Sequence, residues 1–211
     1  DGLCDEQSSL NPLSEYARSK AMSEEGLLKL ADTHFKVTAL RFATACGMSP
    51  RLRLDLVLND FVAAAFSAKR IDIFSDGTPW RPLINVEDMA RAIEWAITRP
   101  IEITGPGLVI NAGTDSWNYT VKDLALAVQK NIPGTELHIN LNAPKDRRSY
   151  RVNFGLFRKL APSHQPLKTL DETICDVRDG LDRYAFQDVS FRESPRFIRL
   201  KTLATLIDAT S

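Results

Sequence analysis

Apolar residues repeat at two periods along this chain, and segments of one period alternate with segments of the other. Leu27, Leu28, Leu30 and Ala31 supply an apolar face to a helix predicted over residues 14 to about 34. Val37, Ala39, Leu40 and Phe42 then predict a buried strand over 36–42, ended by Gly47 and Pro50. Helical spacing returns over 55–68 through Leu56, Val57, Phe61, Val62, Ala65 and Phe66. A short strand at 70–74 stops at the Asp76-Gly77 turn signal.

The alternation continues. Residues 82–86 read as extended, and 87–98 as a helix whose first turn places Glu87 and Asp88 at its positive end. Residues 108–113 predict a further buried strand after the Gly105-Pro106-Gly107 loop. Thr120 is expected to cap a helix through 130, residues 136–141 alternate as a strand, and 170–183 form an amphipathic helix. The tail from 186 carries no comparably clear pattern. Strands alternating with helices predict an α/β protein with parallel connections, and no internal repeat interrupts them.

Composition narrows the class. The chain has 211 residues, 44% hydrophobic and 26% charged, which is ordinary for a globular protein with ample core. Lysine plus arginine equal aspartate plus glutamate at 27 each, so no global field argues for nucleic acid or a membrane surface as partner. Arginines cluster at Arg51/Arg53 and Arg147/Arg148/Arg151, where an anionic small molecule could be held. Cys4, Cys46 and Cys175 are odd in number and unpaired in spacing, and the three histidines show no zinc-site spacing. Reduced thiols in a cytoplasmic protein without a metal are the expectation. No apolar run reaches membrane-spanning length. Beginning Asp1-Gly2 without a methionine, the sequence is expected to be a fragment or a processed or incomplete product.

Candidate chemistry starts at Tyr16 and Lys20, which lie four residues apart and therefore about one turn apart on a helix face. A phenol titrates near about 10, and an ammonium group held close favours the phenolate. The pair could thus move a proton to or from a hydroxyl group. Spacing alone is weak support. Tyr119, Tyr150 and Tyr184 are followed at the same distance by Asp123, Phe154 and Asp188, so only Tyr16 has such a lysine. The ten glycines (2, 26, 47, 77, 105, 107, 113, 134, 155 and 180) include no G-x-G-x-x-G turn of the kind that cradles a pyrophosphate.

Four segments fall in a distinctive order: Pro12 through Lys20, then Leu40 through Pro50, then Asp76 through Ala90, then Val109-Ile110-Asn111-Ala112-Gly113. Together they resemble the extended short-chain dehydrogenase/reductases, specifically the NAD-dependent epimerase/dehydratase family that acts on nucleotide sugars. The resemblance covers about residues 6–183. It implies the C-terminal part of a Rossmann-type doubly wound parallel sheet plus a smaller α/β substrate-binding subdomain. Residues 1–48 and 82–116 would form the partial Rossmann-like domain with the Tyr/Lys pair, and 49–81 and 117–211 the substrate part.

The resemblance also implies roles. Tyr16 matches the family's catalytic tyrosine, and Lys20 the lysine that meets the nicotinamide ribose. Both would touch cofactor. The Ser or Thr that assists such a tyrosine belongs well upstream, so Ser8, Ser9 and Ser14 read as loop or cap residues. Phe42 and Thr44 match the stretch lining nicotinamide and sugar, with Thr44 standing where the family usually has Asn. Asn59 resembles an asparagine at the substrate diphosphate, an exposed polar helix residue being the alternative. Arg81 aligns with the arginine that clamps the diphosphate, a task suited to its planar fork, although Pro82 replaces the aspartate that commonly follows. Arg148, in better register than Arg147, resembles the arginine of the C-terminal substrate loop. Asp88 reads as structural, tying a helix start to a neighbouring loop.

The expected activity is NAD-dependent epimerisation, or dehydration, of a nucleotide-diphosphate sugar by transient oxidation of a hydroxyl carbon, with Tyr16 as base. The choice between NAD and NADP stays open. Family members often dimerise through the tyrosine helix and its neighbour, so a homodimer is an open expectation. The rival reading is a truncated, non-catalytic nucleotide-sugar-binding or interaction module. The 211-residue chain alone is expected to bind NAD negligibly and to be inactive.

Overall fold

The computed structural model of the chain describes residues 2–143, 149–194 and 196–210. Its first part runs β1 (Leu3–Cys4), α1 (Glu15–Leu28), β2 (Val37–Phe42), β3 (Thr44–Cys46), α2 (Val57–Ala68) and β4 (Arg70–Ile73). The middle runs β5 (Trp80–Asn85), α3 (Val86–Thr98), a short α4 (Ile101–Thr104), β6 (Gly107–Ala112), β7 (Asn118–Thr120) and α5 (Val121–Asn131). The last part has β8 (Glu136–Ile139), β9 (Arg151–Val152), α6 (Gly155–Leu160), α7 (Leu170–Arg183) and α8 (Arg199–Thr210).

Local chemistry explains most boundaries. Thr120 and Thr169 each form a capping box, with Asp123 and Glu172, so α5 and α7 start where their side chains can take the first free amides. Helix α1 stops at Leu28, six residues short of the predicted end. The cause is Asp32, whose Oδ1 accepts from the backbone N–H groups of both His34 (2.7 Å) and Phe35 (2.8 Å) and so turns the chain into β2.

The strand pairs are mainly parallel: β2 with β6 over six residues, β3 with β5, β4 with β8, and β1 with β9. One pair departs, β7 running antiparallel to β5. The α/β class with parallel connections is thus realised.

Two main cores flank these strands. The larger is built by Leu58, Phe61, Val62 and Ala65 of α2, Ile71 and Ile73 of β4, Leu124 and Val128 of α5, and Ile174, Val177 and Leu181 of α7. Burial of each such aliphatic side chain stabilises by about 1.5–3 kcal/mol, so α2, embedded on several sides, is the pillar of this half. The other core joins Ala92, Trp95 and Ala96 of α3 to Ile110 and Ala112 of β6 and to Phe157 of α6, with the Trp95 and Phe157 rings edge to face at 5.6 Å. Segment 155–161, grouped by sequence with 117–211, therefore packs beside β6, because Phe157 and Ala161 bury themselves there. Asp88 stitches the halves: its carboxylate accepts from the N–H groups of Leu167 (2.9 Å) and Lys168 (3.2 Å). Asn85 caps α3 and donates to Thr173 Oγ1 of α7 at 2.9 Å.

Candidate active site

A cleft of about 1370 Å³ opens between the two halves. One wall comes from the start of α1 (Tyr16, Ala17) and the end of β2 with β3 (Phe42, Ala43, Thr44). The other comes from the start of α2 (Val57, Asp60), the end of β4 (Asp72, Ile73) with Phe74, and Arg192 of the C-terminal segment; Arg81 also lines it. Strand ends and helix starts meet here, the place where an open parallel sheet offers a crevice.

Tyr16 is the second residue of α1, which begins where Ser14 Oγ accepts from the Ala17 N–H at 3.2 Å. The residue is 75% exposed and lines a cleft large enough for a substantial ligand. Lys20 is exposed one turn on and is not among the residues that line the cleft. Phe42, Thr44 and Arg81 are half-buried on the cleft wall, and Arg81 Nη1 donates to the Trp80 carbonyl at 2.8 Å. The structure thus brings Tyr16, Phe42, Thr44 and Arg81 to one cavity.

Asn59 does not join them. It is 2% exposed, its Oδ1 accepts from the Gly47 N–H at 3.0 Å, and its Nδ2 donates to the Arg53 carbonyl at 3.0 Å. An amide committed to the backbone in this way holds the 47–53 loop and has no surface to offer a substrate. Gly47 is required there: it sits at φ +102, and a Cβ would come within 2.8 Å of Asn85 Nδ2. Arg148 and Arg147 lie outside the described residues.

Several cleft residues escaped the sequence reading. Arg41 and Asn111, register partners in the β2–β6 pair, both line the cavity. Arg53 forks onto Asp55 (3.0 and 2.6 Å), and this bond holds the Asp55 carboxyl below the usual carboxylate range. Asp72 is likewise lowered by its bond from Arg70. Asp60 behaves oppositely: burial pushes its carboxyl up, although the Arg192 fork works against that shift. A signal for Asp60 existed, since it is the sole charged residue of α2. A lone carboxylate in an otherwise apolar helix demands a partner. The partner in the tail had no local signature.

Among the described residues no group of three His, Cys, Asp or Glu side chains is arranged to hold a metal, and no helix is long and apolar enough to cross a membrane.

Comparison with solved structures places this architecture. The chain is similar to MoeE5 in complex with UDP-glucuronic acid and NAD, with TM-score 0.73 at 23% identity, over 87% of this chain and 60% of that one. It is similar to UDP-glucuronic acid 4-epimerase from Bacillus cereus in complex with UDP-glucuronic acid and NAD, with TM-score 0.70 at 24% identity, over 87% and 57%. ADP-L-glycero-D-manno-heptose-6-epimerase from Helicobacter pylori gives TM-score 0.70 at 16% identity, over 86% and 55%. The chain therefore spans less than two thirds of the length of these structures, with which it shares a fold. A family model described as "NAD dependent epimerase/dehydratase family" matches residues 3–113, the stretch that holds Tyr16, Phe42, Thr44 and Arg81. On that match, the chain belongs to the NAD dependent epimerase/dehydratase family.

Proposed function

We propose that this chain supplies the proton-transferring tyrosine and the substrate-facing wall of an NAD-dependent nucleotide-sugar epimerase, or a dehydratase built on the same first step. The observation that carries the reading is the convergence of Tyr16, Phe42, Thr44 and Arg81 on one cleft of about 1370 Å³. That volume suits a ligand with several linked parts. Matched structures that hold UDP-glucuronic acid and NAD make a UDP-sugar the first substrate to test.

Tyr16, Phe42 and Thr44, which line one wall of the cleft, would hold the nicotinamide end of the cofactor. NAD bound there would supply the reversible hydride chemistry at the sugar carbon. The Tyr16 phenolate oxygen takes the hydroxyl proton as the C–O bond becomes C=O, and gives it back on reduction. Lys20 is assigned to the cofactor ribose from one turn further along α1. Arg81 holds diphosphate oxygens through its planar fork, which fixes the sugar against Tyr16. Thr44 contributes a hydroxyl to the sugar.

Titration calorimetry with UDP-glucuronic acid, paired with turnover in the presence of NAD, tests this. Tyr16→Phe should abolish turnover and leave the affinity within about twofold, whereas Arg81→Ala should weaken binding at least about tenfold, a loss of about 1.4 kcal/mol. Surviving turnover in Tyr16→Phe would remove Tyr16 as the base. Sugar-nucleotide binding with no turnover in the wild-type protein at its natural length would favour the non-catalytic module.

A further inference from the structure

We propose that Glu24 and Arg41 are positioning residues: their forked ion pair seats the helix that carries Tyr16. The inference rests on the role given to Tyr16 above. Helix α1 has no fully buried residue. Its only half-buried stripe is Ala17, Ala21, Glu24 and Leu28, and Glu24 is the one charged residue in it. Such a stripe of small apolar groups holds a helix weakly, so the polar contact inside it decides the seat.

Arg41 on β2 makes that contact. Its Nε donates to Glu24 Oε2 at 2.9 Å and its Nη2 to Oε1 at 2.6 Å, with the side chains only 24% and 17% exposed. The remaining Nη1 donates to the Glu6 carbonyl at 3.2 Å, and Glu6 Oε1 accepts from the Asn111 N–H at 2.9 Å. One guanidinium therefore binds α1, the 3–8 segment and the sheet together. A two-point fork fixes orientation as well as distance, which a single ammonium does not. Beyond the pair, Leu28 and Ala31 close over Gly107, where a Cβ would meet Ala31 Cβ at 3.2 Å. The helix is thus pinned at Glu24 and at its far end, and the arm that carries Tyr16 adds only the half-buried Ala17 and Ala21.

The arm amplifies error. Eight residues at about 1.5 Å rise put Tyr16 about 12 Å along the axis from Glu24, so a tilt of about 5° moves its backbone by about 1 Å. Misplacement of about 1 Å at a reacting group can cost about 100-fold in rate. Loss of the pair should therefore lower turnover without touching the groups that bind the diphosphate.

The test uses the protein that carries this chain at its natural length, with ¹³C-labelled tyrosine, Tyr16→Phe identifying the Tyr16 ring signals, and UDP-glucuronic acid with NAD as substrate. In Glu24→Gln and Arg41→Lys the Tyr16 ring signals should move while those of Tyr119 and Tyr184 stay. For the same variants kcat should fall at least about tenfold with KM within about twofold, the signature of a lost transition-state alignment. An unmoved Tyr16 signal overturns the proposal, as does a moved signal with unchanged kcat. Shifts at all the tyrosines with kcat and KM both damaged also overturn it, since the pair is then a general prop for the fold. Absence of turnover in the wild type would defeat the enzymatic reading instead, and the Tyr16 signal alone would then decide whether the pair seats the helix.

Discussion

Arg192 and Asp60, 132 residues apart in sequence, meet fork to fork: Nε donates to Oδ1 at 2.7 Å and Nη2 to Oδ2 at 2.6 Å. The guanidinium also lies over the rings of Phe74 (5.5 Å) and Phe191 (5.6 Å). Through this pair the C-terminal segment becomes part of the cleft wall, since Asp60, Phe74 and Arg192 all line it.

The pair makes stability depend on pH in a defined direction. Burial raises the Asp60 carboxyl above its unfolded value of 3.8, so the native state keeps the proton longer than the unfolded state does. That contribution is complete below 3.8 and is lost as pH rises through the native value. Arg192→Met removes the partner that opposes the shift, so the loss should grow and reach higher pH. Urea unfolding should show the variant destabilised by about 3 kcal/mol at pH 7 and clearly less at pH 4, the residue at low pH being lost packing on the two rings. An equal loss at both values would show that packing alone holds the tail.

Arg99 gives a contrasting case. It is 2% exposed, and its acceptors are neutral oxygens: Thr38 Oγ1 (2.7 Å), Thr104 Oγ1, and the carbonyls of Gly105 (2.7 Å), Val37 (2.8 Å) and Pro106 (3.0 Å). The side chain thus ties the end of α3 to the entry of both β2 and β6, and Lys36 Nζ supports it by capping the carbonyls of Ile97 and Arg99. An ammonium cannot reach acceptors spread around a planar fork. Arg99→Lys should cost about 3 kcal/mol, because several buried carbonyls lose their donor. The wild-type guanidinium does not titrate in the working range, whereas burial makes an ammonium give up its proton more easily, so the loss should be no larger at pH 9 than at pH 5. A loss that grows from pH 5 to pH 9, read from urea midpoints, would overturn this account of the site.

Legibility in the sequence followed range. Amphipathic spacing predicts helix α7 over 170–183, its observed extent, and the structure shows its start fixed by the local Thr169–Glu172 capping box. Strands β2 and β6 announced themselves as apolar runs, and their parallel pairing follows from the α/β alternation. Tyr16 and Lys20 were put on one helix by spacing, but spacing does not say which side chain faces a cavity. Asn59 resembles a diphosphate-contacting asparagine, with an exposed helix residue as the alternative, and is instead a buried staple, because its partners at Gly47 and Arg53 are backbone groups that leave no mark in the sequence. Arg192 was invisible for a different reason. Its meaning lies in a carboxylate on a distant helix, and no local pattern carries that contact.

Two glycines beside the cleft and the core should respond differently to the same methyl group. At Gly113, which follows β6, a Cβ would fall 2.6 Å from Phe154 Cε1 and 2.8 Å from its Cζ. Phe154 is 1% exposed and packed with Ala43 and Ile84, so its rigid ring has nowhere to go. At Gly180, inside α7, the Cβ would meet Met48 Sδ, but that contact is a flexible thioether at the partly buried edge of the larger core. A helical Gly→Ala change also gains up to about 1 kcal/mol in propensity. Gly113→Ala should therefore destabilise by about 2 kcal/mol, within the range for overpacked cores. Gly180→Ala should fall near zero, since the gain in helix propensity offsets the displacement of Met48. Thermal melts of the two variants beside the wild type decide the matter, and a larger loss at Gly180 would mean that Met48 is as fixed as Phe154.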